Sequence, residues 1–308
     1  MPSVSGETSL RVLIPVLPAA GEKASRSGLS TAERPETRVF NLWDGSFEAM
    51  QAFAPGSVTT VFVPSANGSG SGGVSVATAD GVRATVTPAA ESAITLDGTR
   101  TEFEPVSRLL DALGVSATVA LDAGVPVGCG FGASGAATLG SALAANAEFG
   151  LGRRRDALVE AAHRAEVAAG TGLGDVFVQD AGGLVYDVGE GRGRTDCEKR
   201  VGYTAFGGID TASVLGNEEL LDRIHTGGIA ALADLPATPT LADALARSWT
   251  FARQVGLPTD RLRDVVEDVE AAGGIATMAM VGETVVGLGA GDVLANETSV
   301  SNAGARVL

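Results

Sequence analysis

The chain has 308 residues, 45% of them hydrophobic but only 5% aromatic, so its core must be built from small and branched side chains. A net charge of −15 excludes a nucleic-acid binder, which needs the opposite sign, and no apolar run reaches the ~18 residues of a membrane span. With lysine only at Lys23 and Lys199, the acidic surface reads as adapted to molar salt, an ordinary acidic protein being the alternative.

Residues 1–49 lack a sustained helix or strand period and read as a disordered extension and a start-site artefact, with translation beginning at Met50. Within them Leu10–Ala20 is too short and proline-broken for a signal peptide, and a reducing cytoplasm is the expected location. Strands are expected at Ala52–Ala54 and Val58–Val63 around a turn at Pro55–Gly56, then at Val74–Ala79, Val82–Val86 and Ala93–Leu96. The glycine- and serine-rich stretch Ala66–Gly73 reads as a hairpin tip rather than a lid. Phe103–Val115 is an amphipathic helix closed by Gly114, and Ala117–Leu121 a strand running toward a glycine loop. Helices follow at Ala136–Gly150 and Asp156–Ala169, and the segment after Gly174, VFVQDAGGLVYDV, reads as a strand pair. Helices near Thr240–Val255 and Asp260–Ala272 and a hairpin over Gly273–Gly289 complete an α+β protein.

The loop VPVGCGFGASGAATLG, Val125–Gly140, raises four readings. Gly130, Gly132 and Gly135 spell G-x-G-x-x-G, but a dinucleotide site needs the strand to enter the first glycine directly, and Pro126–Cys129 intervene. The acids about 20 residues on, Glu148 and Asp156, fall in or beside helices rather than at a strand tip. A Walker loop fails because no lysine lies between Lys23 and Lys199, and a hydrolase elbow fails because Ser134 sits in G-A-S-G-A. What remains is a lysine-free anion cradle of backbone N–H groups at a helix start. Ser134 there is either an N-cap or a hydroxyl for a phosphate or its metal. Cys129 is a small filler; with Cys197 it makes no C-x-x-C pair, and His163 and His225 are too few and too separated for a metal site.

Pro126–Ala137 resembles the P-x-G-x-G-L-G-S-S-A loop of the GHMP small-molecule kinases. Ala54–Phe62 resembles that family's N-terminal motif and Gly273–Gly282 its C-terminal glycine motif, in the same order. GCGFGASGAATLGSALAAN and Ala162–Gly183 are most similar to the archaeal pantoate kinase branch. The resemblance implies a GHMP fold: a disordered 1–49, an N-terminal mixed α/β ATP-binding domain over 50–195 and a ferredoxin-like α+β domain over 196–308. It also implies ATP, Mg²⁺, a small-molecule alcohol acceptor (pantoate, with mevalonate, homoserine or an inactive nucleotide sensor as alternatives) and a homodimer. No nucleic-acid or membrane partner is expected.

Residue by residue, the resemblance places Pro126, Gly128, Gly130, Phe131, Gly132, Ala133, Ser134, Gly135 and Ala136 around the triphosphate. It assigns Ser134 and Glu166 to Mg²⁺, and Asp175 to the acceptor hydroxyl. Read without it, Glu166 is a solvated helix face or a buried charge with a job, and Asp175 a turn residue or a base. Gly273 and Gly274 would close over the site, and Ser57, Thr59 and Arg83 are candidates for the acceptor's carboxylate. Two positions depart from the family: Ala133 replaces the first loop serine, and Ser57 stands where histidine is expected.

Overall fold

The computed structural model describes residues 49–65, 70–188, 191–208, 214 and 216–308. The expected extension therefore lies outside the described residues except for Ala49, as does half of the expected hairpin tip, residues 66–69. Residues 48–308 form one compact unit.

β1 (Met50–Pro64) and β2 (Ser71–Pro88) are a long antiparallel hairpin, in register from Met50 opposite Val86 to Pro64 opposite Ser71. Pro55–Gly56 does not turn the chain: it runs on within β1 opposite a bulge in β2, where the partner jumps from Gly81 to Thr78. A proline without an N–H is tolerated in a sheet at such a bulge. The bulge has a consequence for the site, because it turns the Ser57 N–H onto the carbonyl of Phe131 at 2.9 Å, tying β1 to the glycine loop.

β3 (Ala93–Leu96) and β4 (Thr99–Thr101) lead into α1 (Glu104–Leu113), which ends at Gly114 in the left-handed region. β5 (Ala117–Ala123) then delivers the chain to the glycine loop and α2 (Ala133–Glu148). α2 is buried almost all round, its alanines and glycines letting it lie close across β1 and β2. It begins three residues before the expected Ala136, with Gly132 as N-cap, so Ser134 lies in the first turn and is not the cap.

α3 (Arg155–Ala169) packs on α2 and ends at Gly170. Beyond it, Asp175–Ala181 is a helix, α4, where a strand was expected. The V-F-V alternation misleads; Gly174 and Gly182 bound the segment, Asp175 opens it, and Val176 and Gln179 share its buried face at helical spacing. β6 (Leu184–Asp187) pairs with β2, and β7 (Arg192–Thr195) with β6. The first sheet runs β12-β1-β2-β5-β3-β4, antiparallel except for β3 beside β5, with β12 at Arg306–Val307.

The second sheet, ordered β11-β8-β10-β9, is built from β8 (Arg200–Gly208), β9 (Ile275–Met278), β10 (Gly282–Leu288) and β11 (Asn296–Ser299). α5 (Glu218–Ala233), α6 (Leu241–Val255) and α7 (Asp260–Ala271) accompany it. Its core joins Trp249, Phe251, Leu262, Met278 and Val285 to Val61 and Phe62 of β1. One strand thus feeds both cores. Among the described residues no helix is long and apolar enough to cross a membrane.

Candidate active site

The loop between β5 and α2 forms one wall of a cleft of about 400 Å³, within the usual range for small-molecule sites. Gly132 has φ 60°, and a side chain there would collide with Ser57 Oγ and come within 2.7 Å of Gln179 Nε2. The first i→i−4 bond of α2 runs from Ala136 N–H to the Gly132 carbonyl, so helix bonding leaves the N–H groups of Ala133, Ser134 and Gly135 unused. Those donors and the positive end of the helix suit an anion without any lysine.

Glu166 projects from α3 beneath this helix start and is only 3% exposed. Three hydroxyls donate to it: Ser134 Oγ at 2.9 Å and Thr138 Oγ1 at 2.6 Å to Oε1, and Thr171 Oγ1 at 2.8 Å to Oε2. Burial raises its proton affinity, the three donors oppose that, and the nearby Asp175 charge adds to the rise. The buried-charge reading of Glu166 therefore prevails over a solvated face.

Asp175 opens α4 and lines the cleft. Its Oδ1 accepts from Ser57 Oγ at 2.9 Å and from Thr59 Oγ1 at 3.4 Å. Burial pushes this carboxyl up, and the Ser57 and Thr59 donors pull it back. Gly172 separates the two carboxylates: a Cβ there would stand 3.1 Å from Glu166 Oε2 and 3.7 Å from Asp175 Oδ2. The missing side chain leaves a common gap beside both of these oxygens, of which Glu166 Oε2 already accepts from Thr171.

Gly128, Gly130, Gly132, Ala133, Ser134, Thr59 and Asp175 all line the cleft. Other expected residues stand behind it or away from it. Phe131 is buried, its ring edge-on to Tyr203 at 4.8 Å. Gly135 lies against Gln179, Ala136 belongs to the core, and Pro126 is outside the lining. Ser57 is fully buried behind Asp175, which corrects its expected contact with the acceptor: its hydroxyl is already committed to the carboxylate. Arg83 pairs with Gln51 on the exposed side of the sheet. Gly273 and Gly274 also need correction: they form the turn from α7 into β9, where Gly274 packs against Val269 and Leu288. The part of that hairpin that reaches the cleft is Met280–Val281, some six residues away, or ~20 Å along an extended chain.

Four residues were not singled out from the sequence. Thr138 lies one turn after Ser134 on α2, a spacing that could have revealed it. Thr171 follows the end of α3, and Gln179 lies one turn after Asp175 but in the segment expected to be a strand. Arg192 is the only cation among the described cleft-lining residues, 3.3 Å from Asp187 and 5.2 Å from the Phe177 ring centroid. Cys129 is half-buried, its Sγ 3.5 Å from the Val127 carbonyl, and its thiol is pushed up by burial and so less nucleophilic.

Residues 103–183 match the family described as the GHMP kinases N terminal domain. Among curated proteins, the chain is 29% identical over 257 residues to a pantoate kinase of Methanospirillum hungatei, covering 77% of this chain and 86% of that protein. A pantoate kinase of Thermococcus kodakarensis is 33% identical over 47% of this chain and 50% of its own length. A solved structure titled as a phosphotransferase related to the CoA biosynthesis pathway superposes with a TM-score of 0.73 at 21% identity, over 84% of this chain and 98% of that one. A mevalonate kinase structure gives 0.58 at 14% identity, over 82% and 99%.

Proposed function

Because this chain belongs to the GHMP kinase family, we propose that it transfers the γ-phosphoryl group of ATP to the 4-hydroxyl of pantoate. The observation that carries the reading is the position of Asp175, an acidic side chain with a free oxygen, across a common gap from Glu166 and beside the helix-start donors. Phosphoryl transfer asks for a held triphosphate, an aligned hydroxyl and a group to take its proton.

The glycine loop and the first turn of α2 hold the triphosphate by backbone N–H groups. Asp175 Oδ2 takes the hydroxyl proton as the acceptor oxygen forms its bond to the γ-phosphorus and the bond to the ADP oxygen breaks. Arg192 faces the acceptor's carboxylate, while Phe62, Met280 and Val281 offer apolar surface to its two methyl groups. A hydroxyl and a carboxylate at the anion site suit a hard, oxygen-preferring cation, and Ser134 with Glu166 would hold Mg²⁺. When bound, it supplies neutralisation of the phosphate charge.

The reading places the chain in the cytoplasm, where ATP is supplied, and in the formation of a coenzyme A precursor, as a homodimer whose mass sedimentation would report. The test is ADP release with ATP and Mg²⁺ at high KCl, against pantoate, mevalonate and homoserine in parallel. Pantoate is expected to support turnover well above the other two. Turnover with mevalonate or homoserine alone would move the chain to another acceptor; nucleotide binding without turnover would make it a sensor.

A further inference from the structure

Gln179 is fully buried on α4, one turn beyond Asp175, and does not line the cleft. Its amide is used on one side only. Nε2 donates to the Gly132 carbonyl at 2.7 Å and to Ser57 Oγ at 3.2 Å, while Oε1 has no hydrogen-bond partner among the described residues. A buried carbonyl left unsatisfied costs stability, so the arrangement needs a reason. Reversing the amide would set two acceptors against each other at Gly132, which fixes the orientation. Gly135 contributes by lacking a side chain, since a Cβ there would lie 2.8 Å from Oε1.

The direction of the protons follows. With an N–H pointing into its oxygen, Ser57 must turn its own proton outward, and the acceptor it reaches is Asp175 Oδ1. A parallel, longer chain reaches the same oxygen through Thr59, whose Oγ1 lies 2.8 Å from Ser75 Oγ and 3.4 Å from Asp175 Oδ1. Both chains end on Oδ1, and among the described residues neither touches Oδ2, the oxygen on the Gly172 side.

We propose that Gln179 is a positioning residue: by forcing the Ser57 proton onto Oδ1 it holds the Asp175 carboxylate with Oδ2 turned to the acceptor hydroxyl. The same amide donates to the N-cap carbonyl of α2, the contact that fixes its orientation. This inference rests on the reading of Asp175 as the base of an ATP-dependent phosphoryl transfer.

The test uses the full chain with Mg²⁺ and compares wild type, Gln179→Leu, Ser57→Ala, their double variant and Asp175→Asn. The readouts are kcat and KM for the alcohol that wild type turns over, and Kd for ATP. Gln179→Leu is expected to lower kcat roughly tenfold, the scale of one lost hydrogen bond to a charged group, with Kd for ATP within about threefold of wild type. Ser57→Ala, a smaller change for the fold, should lower kcat at least as far. The double variant should be no slower than Ser57→Ala by more than about twofold, because no serine proton is left to aim.

A Gln179→Leu variant with wild-type kcat would overturn the proposal. So would additive losses in the double variant, or a loss that appears in ATP binding rather than in kcat. Should Gln179→Leu fail to fold, a wild-type kcat in Ser57→Ala would overturn it equally. Failure of the underlying reading shows elsewhere, as undiminished turnover in Asp175→Asn or as a wild-type chain that phosphorylates none of the three alcohols; either result overturns both. Turnover of an alcohol other than pantoate corrects the acceptor alone, and the Gln179 comparison then runs on that alcohol.

Discussion

Two glycine-rich segments of this chain look alike on paper and do different things in the fold. The first, Gly128–Gly135, turns three glycines into the left-handed region, frees the first N–H groups of a buried helix and forms a cleft wall. The second opens at Gly273–Gly274, where the backbone makes a tight turn and packs against Val269 and Leu288, outside that cleft. The difference lies in what stands around the glycines. Ser57, Glu166, Asp175 and Gln179 converge behind the first, whereas the second meets apolar side chains and backbone. A glycine pattern therefore marks where backbone must come close, and the neighbours decide to what.

The sharpest way to break the contrast is to remove the chemistry at the first segment without touching its shape. Asp175→Asn should lower kcat by about 10²–10⁴-fold, the usual range for a positioned general base, while ATP binding stays intact. The same variant should be more stable than wild type. Burial holds the Asp175 proton affinity above that of the unfolded chain, so the folded state binds the proton more tightly. Stability is then full below the unfolded carboxylate range and lost as pH rises through the higher folded value. Asparagine removes that loss: its thermal midpoint should exceed wild type at pH 7, and the gap should close in acid. A lower midpoint at pH 7 would mean that the hydrogen bonds outweigh the burial cost.

Paired glycine substitutions sharpen the comparison. Gly132→Ala must adopt a positive φ and displace Ser57 from Asp175, so kcat should fall by roughly tenfold or more. Gly274→Ala brings a Cβ to 2.8 Å from the Leu288 carbonyl, and its effect should be confined to stability, about 1–3 kcal/mol. Steady-state kinetics beside denaturant unfolding would separate the two, and equal losses of kcat would erase the distinction drawn between the segments.

Much of this was legible in the sequence. The apolar periodicities of α1, α3, α6 and α7 gave those helices nearly to their ends. The glycine loop, Ser134, Glu166 and Asp175 could be named from residue types and order; Ser134 and Asp175 line one cleft, and Glu166 lies buried behind it, bonded to Ser134. What escaped depends on contacts between distant segments. Ser57 and Asp175 are 118 residues apart, and nothing local tells a buried serine from one that meets a ligand. Gln179 was hidden because V-F-V alternation suggests a strand while packing on α2 and β1 makes a helix. Arg192 sits in a segment with weak local preferences, placed over the cleft only by the pairing of β7 with β6.

The claim that all of this serves phosphoryl transfer to pantoate is tested most directly by phosphorus NMR of a mixture of the purified chain, ATP, Mg²⁺ and pantoate. The account predicts a phosphomonoester resonance split by two protons, because the 4-hydroxyl is borne on a CH₂ group, growing in step with ADP. Inorganic phosphate alone, a resonance split by the single proton of the 2-position, or no new resonance at all would contradict it.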